Sequence, residues 1–451
     1  MTPTPVDRMR QAVDPRSLPS RLREGFGEFL HTEVAGAAAL LIATVVALLI
    51  ANSPWHAVYD ALWRIEAGIT FGPLAFHESL LHWVNDALMA LFFFVVGLEI
   101  KREFLVGELS QARKALLPIL AAVGGMVVPA LIFAFFNHGG PGAHGWGVPM
   151  ATDIAFVIGA MALLGERVPS GLKVFVVALA IADDIGAILV IAIFYTSGVK
   201  LAWLGLVVAL FIVLLLLNRR GVDSPWPYFI IGGALWFSML MSGVHSTIAG
   251  VLVAMTIPAV AKVDPMEFTR DTRERLDRIE ATHVPGVHVL CDDTQQLVAL
   301  DIRREARHTA PPLQRLEFAL HPWTTFLVLP LFALGNAGVR VVGVDFLQLL
   351  TLPVGIGVIL GLVVGKPIGV AGMTWLAVKL KIAELPEGVR WRQVLGAGVL
   401  AGIGFTMSLF VASIAFRGVA ETVEAKAGIL VASVIAGGLG YLVLRFASER
   451  D

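Results

Sequence analysis

The chain has 451 residues, of which 57% are hydrophobic and 15% are charged, and its formal net charge is −1. Soluble domains carry about 25% charged residues, so this composition indicates an integral membrane protein. The near-neutral charge favours no nucleic-acid partner, and the single cysteine, Cys291, excludes an internal disulfide framework.

The N-terminal tail, residues 1–33, is polar and rich in proline and arginine. A cleaved signal peptide would need a short apolar core followed by a cleavage site, and no such pattern follows this tail. We therefore interpret the first apolar run, which begins near residue 34, as a retained membrane-spanning helix.

Apolar runs of about 20 residues, the length needed to cross a bilayer, recur to the end of the chain. They predict an all-α polytopic protein with twelve transmembrane helices in the lipid bilayer, eight within 34–261 and four within 319–446. The predicted spans lie near 34–52, 82–100, 115–136, 148–165, 173–196, 201–217, 226–242, 244–261, 319–338, 353–378, 393–416 and 426–446.

Lysine and arginine are concentrated in alternate connections between the predicted spans. The N-terminal tail and the connections after spans two, four, six and ten are basic, whereas those between them carry few positive charges. Cytoplasmic loops of membrane proteins show this excess. The bias predicts an even number of spans with both termini, including residues 447–451, in the cytoplasm.

Two predicted connections are unusual. Residues 262–318 form a long polar segment of mixed charge with helical character. A solvated cytoplasmic insert is the simpler interpretation, and a regulatory role is the alternative. Residues 53–81, on the outer side, alternate around Gly72-Pro73, which favours a short β-hairpin. Because an exposed hairpin edge can pair with a second copy, this segment suggests a homodimer.

Few ionisable side chains fall within the predicted spans, where each costs roughly 2.5–3.5 kcal/mol at mid-bilayer. Asp183 and Asp184 lie at the middle of the fifth span, in ALAIADDIGAILV, and Lys366 lies at the middle of the tenth. Adjacent residues point about 100° apart on a helix, so one aspartate can pair with Lys366 while the other binds a cation. A static ion pair is the alternative, but it leaves the second carboxylate without a role.

Two predicted spans contain residues that interrupt helices. GVPMATDIAFVIGA combines glycine and proline with Thr152 and Asp153, and GAGVLAGIGFTMSLF has four glycines followed by Thr406 and Ser408. These residues favour helices that unwind inside the membrane, although close helix packing would also explain the glycines. Asp153 could offset the positive N-termini of half-helices, and Lys366 the negative C-termini.

Three groups of ionisable residues near span ends have alternative interpretations. His245, at the outer start of the eighth span, is either a packed or capping residue or a pH-sensitive group. Asp86 begins the second span and is typical of a helix cap. Glu99, Arg102 and Glu103, at the cytoplasmic end of that span, fit either a solvated helix end or a cation entrance.

The chain resembles the NhaA family of bacterial Na+/H+ antiporters over most of its predicted spans, in order. The resemblance implies the NhaA fold, with inverted repeats formed by spans 3–5 and 10–12 and with spans 4 and 11 broken and crossing. It also implies a homodimer formed through the outer hairpin. The stretches that carry the resemblance are HWVNDALMALFFFVVGLEIKREFLVGELS, MATDIAFVIGAMALLG, ALAIADDIGAILVIAIFYT, SGVHSTIAGV, HPWTTFLVLPLFALGNAGV, GKPIG and GIGFTMSLFVASIAF.

The resemblance also assigns roles by motif. It implies that Asp184 is the principal ligand of Na+, Li+ or H+, and that Asp183 exchanges a salt bridge with Lys366. Thr152 and Asp153 occupy the broken-helix positions. The cytoplasmic funnel linked to pH activation is matched by Glu99, Arg102, Glu103, Glu317 and His321.

The chain departs from the best-known family members in two places. Residues 262–314 lengthen the connection before span nine, and Phe318 stands where those members have an ionisable histidine. Both changes affect the region linked to pH activation, so they bear on the pH set-point and not on the transport reaction.

These observations predict a secondary transporter, not an enzyme, with no cofactor and with Na+, Li+ and H+ as transported ions. It would extrude sodium across the bacterial inner membrane in exchange for external protons, electrogenically and under pH control, by alternating access at a midplane aspartate site. A sodium-coupled solute symporter on a related inverted-repeat fold is the alternative. A cation channel needs a continuous pore, and the facing lysine and the broken helices argue against one. The sequence shows no nucleotide-binding loop, which argues against a primary pump.

Overall fold

The computed structural model describes residues 17–71, 74–196, 198–282, 293–340, 346–416 and 418–448. This part of the chain is helical apart from one two-stranded sheet. Nine of its helical segments are long and apolar enough to cross a membrane, or ten if one bent pair counts as a single span. The protein is therefore a mostly helical, multi-pass membrane protein.

The helices are numbered here in chain order. Three of the long helices each include one π-helical turn: Leu80–Leu105, Pro312–Asn336 and Pro353–Lys379. The bounds are α1 Ser17–Ala51, α2 His56–Trp63, α3 Leu80–Leu105, α4 Ala112–Asn137, α5 Ile154–Leu164, α6 Ser170–Phe194, α7 Leu201–Arg219, α8 Pro225–Ser242, α9 Ile248–Thr256, α10 Pro265–Thr282, α11 Asp293–Thr309, α12 Pro312–Asn336, α13 Phe346–Thr351, α14 Pro353–Lys379, α15 Trp391–Leu400, α16 Phe405–Ala415 and α17 Val419–Ser448. Short 3-10 helices occupy Glu108–Ser110, Pro141–Met150 and Gly165–Arg167.

The predicted eighth span, near 244–261, is shorter than expected. Its helix, α9, has nine residues. At 1.5 Å per residue such a helix covers about half of the roughly 30 Å hydrocarbon core. The predicted total of twelve spans therefore stays a prediction.

The sheet is an antiparallel hairpin in the predicted outer loop 53–81. Strand β1, Glu66–Phe71, pairs with strand β2, Leu74–Ser79, in the register Glu66 to Ser79 and Phe71 to Leu74. The indole Nε1 of Trp83 donates to the carbonyl of Ala67 at 2.8 Å, which ties β1 to the first turn of α3.

The capping role predicted for Asp86 is wrong. Helix α3 begins at Leu80, two residues before the predicted start, and its N-cap is Ser79, whose side chain accepts the N–H of His82 at 3.2 Å. Asp86 therefore lies inside the helix, where its Oδ2 pairs with Nε2 of His82 at 2.7 Å. The two residues are four apart, the spacing at which side chains meet on a helix face.

The chain divides into two compact units, of which the first comprises residues up to 88, 108–195 and those from 325 onward. In this unit α4 and α14 approach closely through glycines. A Cβ at Gly369 would overlap the carbonyl oxygen of Gly124, and a Cβ at Gly125 would lie 3.7 Å from Cδ of Lys366. Small residues let helix backbones meet in this way. The glycines therefore fix where α14 presents Lys366.

We expect Gly369→Ala to lower the thermal unfolding midpoint of the purified protein. The added methyl meets backbone that cannot move aside, and overpacking costs roughly 1–3 kcal/mol. Gly372→Ala, on the same helix, is the matched control, because nothing lies within 4 Å of its Cβ position. An equal midpoint for the two variants would contradict the close packing of α4 on α14.

The second unit comprises residues 89–107 and 196–324. Its core joins α3, α7, α8 and α9 through Phe94, Leu98, Leu214, Leu235 and Val253. The predicted polar insert contains α10 and α11, which an ion pair between Arg275 and Glu305 links. The two ends of the insert meet, because the N–H groups of Lys262 and Val263 both donate to the carbonyl of His308, at 3.1 and 3.3 Å.

Candidate functional site

Asp183 and Asp184 lie at the middle of α6, and Lys366 lies in α14. All three side chains are buried, with exposed fractions of 1%, 3% and 0%. The Nζ of Lys366 lies 2.7 Å from Oδ2 of Asp183, which makes a direct, hydrogen-bonded ion pair. Helix α6 brings two carboxylates and α14 one ammonium group into the same buried region.

The two aspartates have different surroundings, as adjacent residues on a helix must. Among the described residues, Lys366 forms its salt bridge with Asp183, while Asp184 acts on it through charge at longer range. The second oxygen of Asp183, Oδ1, is buried and has no hydrogen-bond partner within the described part of the chain. A buried acceptor without a donor is costly, so the site has capacity for a cation or a proton.

The backbone just before Lys366 is irregular. Residues Gly361–Gly365 form a π-helical turn inside α14. Such turns are rare, and they occur frequently at functional sites because they change the direction in which the next side chain points. The turn gives α14 a local departure from regular geometry at the residue that forms the ion pair.

A second buried cluster surrounds two non-helical segments. Residues 151–153 separate the 3-10 helix Pro141–Met150 from α5, and residues 401–404 separate α15 from α16, which are bent by 48° relative to each other. Two hydrogen bonds join the segments. The Thr152 hydroxyl donates to the carbonyl of Ala401 at 2.8 Å, and the N–H of Asp153 donates to the carbonyl of Ile403 at 2.7 Å.

The carboxylate of Asp153 lies at the N-termini of two helices. One oxygen accepts the N–H of Phe156 in α5 at 3.4 Å. The other accepts the N–H of Thr406 in α16 at 3.0 Å and also the Thr406 hydroxyl. A negative charge stabilises the positive end of a helix dipole, so a single carboxylate here serves two helix ends. Charge compensation by Asp153, predicted from the sequence, stays a prediction.

The two buried clusters are connected through α14. A Cβ at Gly402 would overlap the carbonyl oxygen of Leu362, which lies one helical turn before Lys366. Ser408, in α16, donates to the carbonyl of Val148 at 2.8 Å, which further holds the crossing segments together. A shift of these segments would therefore press on the helix that carries the ammonium group.

We expect Thr406→Val to lower both the thermal midpoint and the rate of ion exchange, because it removes a hydroxyl donor from the buried carboxylate of Asp153. A hydrogen bond to a charged group contributes about 1.5–3 kcal/mol. Thr422→Val is the matched control, since the Thr422 hydroxyl donates to the carbonyl of Gly418 at 2.7 Å, in a solvent-exposed hydrogen bond at the start of α17. Equal effects of the two substitutions in a thermal-shift and transport assay would contradict this role.

The residues predicted for pH activation come together in the second unit, on α3 and α12. The Nε of Arg102 donates to both oxygens of Glu317, at 3.0 and 3.2 Å, and its Nη1 lies 3.0 Å from Glu103. The Nδ1 of His321 lies 3.7 Å from Glu99. Opposite charges thus link the C-terminal end of α3 to the N-terminal part of α12. The contact between His321 and Glu99 is an ion pair only when His321 is protonated.

His245 lies outside these clusters. It occupies the turn before α9, where its carbonyl accepts the N–H of Ile248 at 3.2 Å. Its ring is partly buried.

Three contacts were not predicted from the sequence. Asp223 pairs with Lys262 and His308, and His82 pairs with Asp86. The four-residue spacing of His82 and Asp86 is a usable sequence signal. No comparable sequence signal predicts the Asp223 contacts, because Asp223, Lys262 and His308 are far apart in the sequence and lie in segments rich in other charges. Within the described residues, no group of three or more His, Cys, Asp or Glu could hold a metal ion.

Comparison with known proteins gives full-length matches. Residues 27–444 match the model of the family described as Na+/H+ antiporter 1. The chain is 48% identical to a Na(+)/H(+) antiporter NhaA of Acidithiobacillus ferrooxidans over 94% of this chain and 98% of that protein. It is 47% identical to a Na(+)/H(+) antiporter NhaA of Sulfurimonas denitrificans, over 94% of this chain and 96% of that protein. It is 44% identical to a Na(+)/H(+) antiporter NhaA of Christiangramia forsetii, over 98% of each chain.

Proposed function

The chain belongs to the NhaA family of Na+/H+ antiporters, and from this premise we propose that it exchanges these ions at one site built from Asp183, Asp184 and Lys366. The full-length matches confirm the resemblance seen in the sequence. The observation that carries the proposal is the buried Lys366–Asp183 pair, 2.7 Å apart, beside a second buried carboxylate. Na+, Li+ and H+ are the transported ions in this reaction, and the proposal assigns no cofactor.

The exchange follows from competition for the same oxygens. A carboxylate oxygen is a hard ligand that binds a proton or a small alkali cation, and a buried site cannot hold both charges cheaply. From the cytoplasm, Na+ replaces the proton on Asp184 and weakens the Asp183–Lys366 pair, and the ammonium of Lys366 then releases a second proton. After the site opens outward, external protons replace Na+. Because Na+ and protons cannot occupy the site at the same time, the flow of one ion is coupled to the flow of the other.

The proposed cycle is electrogenic. If the carboxyl of Asp184 and the ammonium of Lys366 each carry one proton inward while one Na+ leaves, one net positive charge enters per cycle. The membrane potential then drives sodium extrusion, at about 2.3 kcal/mol per charge for 100 mV.

The proposed architecture is the twelve-span NhaA fold. In it, spans 3–5 and 10–12 are inverted repeats, and spans 4 and 11 are broken where they cross. The non-helical segments 151–153 and 401–404 and the hydrogen bonds between them support this assignment. Alternating access would then move the broken helices around the site.

Regulation and assembly complete the proposal. The ion pairs of Glu99, Arg102, Glu103, Glu317 and His321 form the pH-sensitive region, and His245 is a second candidate on the outer side. The hairpin β1–β2 pairs with that of a second copy in a homodimer. The protein lies in the bacterial inner membrane with both termini in the cytoplasm.

A decisive test uses everted membrane vesicles with a preset pH gradient. We expect Na+ or Li+ to collapse the gradient and K+ to leave it intact, between about pH 6.5 and 8.5, a range that brackets physiological pH. The rate should rise when a potassium diffusion potential, positive on the inside of the everted vesicles, is imposed. No collapse by Na+ or Li+ in vesicles that contain the protein would favour the alternative, a sodium-coupled solute symporter.

A further inference from the structure

A cleft of about 690 Å³ lies within the second unit, between insert helix α11 and the start of α8. It lies outside the proposed transport site, which belongs to the first unit. Its walls come from the predicted polar insert and from the connection that precedes α8. The lining residues are Asp223, Ser224, Pro225, Trp226, Leu297, Leu300, Asp301, Arg303, Arg304, His308 and Arg315.

The cleft carries surplus positive charge. Three guanidinium groups line it, against the carboxylates of Asp223 and Asp301. Asp223 is already engaged, since Lys262 Nζ lies 3.1 Å from one of its oxygens and His308 Nδ1 lies 2.8 Å from the other. Although partial burial opposes it, the hydrogen bond and charge of Lys262 and the charge of His308 lower the pKa of Asp223.

Two arginines in the cleft have no such partner. Among the described residues, no salt bridge involves Arg303 or Arg304. By contrast, the nearby Arg315 donates to the carbonyl of Asp223 at 3.2 Å and braces the wall of the cleft. Adjacent guanidinium groups that are not consumed by carboxylates are suited to bind an anion, and they match the geometry of phosphate.

Apolar and aromatic side chains of α11 and of the start of α8 also line the cleft. The indole of Trp226 is 71% exposed, and Leu297 and Leu300 are 63% and 57% exposed. Helix α8 begins at Pro225, and its N-cap residue, Ser224, makes no side-chain capping hydrogen bond. Because Pro225 and Pro227 have no N–H group, Trp226 supplies the only backbone donor among the first three residues of α8 at this end of the cleft.

We propose that this cleft binds a phosphorylated molecule with a flat or apolar body, either a soluble nucleoside phosphate or the headgroup of an anionic lipid. Arg303 and Arg304 bind the phosphoryl group, and Trp226 with Leu297 and Leu300 contacts the body. The volume exceeds that of a lone inorganic phosphate, which is why a body is included. The sequence predicted no nucleotide partner because it lacks a phosphate-binding loop; this site uses guanidinium groups instead.

Binding at the cleft would stabilise the insert. Asp223 joins the wall of the cleft to Lys262 and His308, the residues at which the two ends of the insert meet. A ligand held between α11 and α8 therefore restrains α11 and the contacts of Asp223 with Lys262 and His308. The segment 262–318 would then be a ligand-binding module. This role does not depend on whether the proposed antiport reaction is correct.

Equilibrium binding to the purified full-length protein in detergent micelles tests the proposal. The probes are pyrophosphate, ATP and phosphatidylglycerol, with phosphatidylcholine as the uncharged comparison. The variant Arg303→Gln/Arg304→Gln is compared with Arg270→Gln/Arg273→Gln on α10, which removes the same charge from the same insert outside the cleft. Na+/H+ exchange by both variants reports that they are folded.

We expect Arg303→Gln/Arg304→Gln to weaken phosphate-probe binding at least about tenfold, and the control pair to change it little. Trp226→Leu should weaken ATP binding more than pyrophosphate binding. Binding of phosphatidylglycerol alone would identify the lipid headgroup as the source of the phosphate. Equal weakening by the two arginine pairs, or no saturable binding of any phosphate probe at about 1 mM, would overturn the proposal.

Discussion

Replacing Asp184 by asparagine is expected to abolish Na+-driven proton exchange while the protein stays folded. The amide keeps the volume of the side chain but cannot take up a proton or balance a buried cation. Without this carboxylate, a bound Na+ would be a buried charge lacking its partner, which costs roughly 3–5 kcal/mol; about 1.4 kcal/mol is a factor of ten, so exchange should fall at least about 100-fold. The measurement is the initial rate of Na+-induced proton flux in proteoliposomes.

The matched control is Asp277→Asn, which removes the same charge from an exposed position on insert helix α10. It should leave the exchange rate unchanged. Robust exchange by Asp184→Asn, with a normal thermal midpoint, would remove Asp184 from the set of cation ligands.

Replacing Lys366 by alanine is expected to destabilise the protein and to remove the voltage dependence of exchange. The substitution leaves the carboxylate of Asp183 buried without its cation, and its Oδ1 already lacks a donor within the described part of the chain. Breaking a buried ion pair by removing one partner costs roughly 3–5 kcal/mol, less if the remaining carboxyl takes up a proton. The thermal midpoint and the response of transport to an imposed potential measure the two effects.

A double-mutant cycle separates the ion pair from other effects. Asp183→Asn with Lys366→Gln removes both charges, so the double variant should be more stable than the sum of the single losses predicts. Additive losses would show that the two residues are not coupled. Unchanged voltage dependence in an active Lys366→Gln variant would show that the lysine carries no transported proton.

The sequence singled out the residues of the proposed site before their contacts were known. Asp183, Asp184 and Lys366 stand out because ionisable groups are rare in apolar spans, and their matching depth predicts that they meet. The residue pattern alone left open which aspartate pairs with the lysine, since a 100° separation says only that both cannot do so. The resemblance implied Asp183, and the structure places Asp183 Oδ2 at 2.7 Å from Lys366.

Other features depend on tertiary contacts and could not be predicted. The π-helical turn at Gly361–Gly365 has no distinctive composition beyond its glycines. The hydrogen bonds of Asp153 to Thr406 join residues from distant segments, so the sequence could suggest a charge-compensating role but not the partner. Asp86 was misplaced because helix α3 begins at Leu80 with Ser79 as its N-cap, so that Asp86 lies inside the helix.

The most direct test of the central claim, that Na+ and H+ compete for one site at Asp184, is Na+ binding to the purified protein as a function of pH. Proton release into weakly buffered solution is counted at the same time. The account predicts that the apparent Kd for Na+ falls with rising pH, by about tenfold per pH unit for each proton displaced, and that Asp184→Asn loses both signals. Na+ binding that is independent of pH and releases no protons would contradict it.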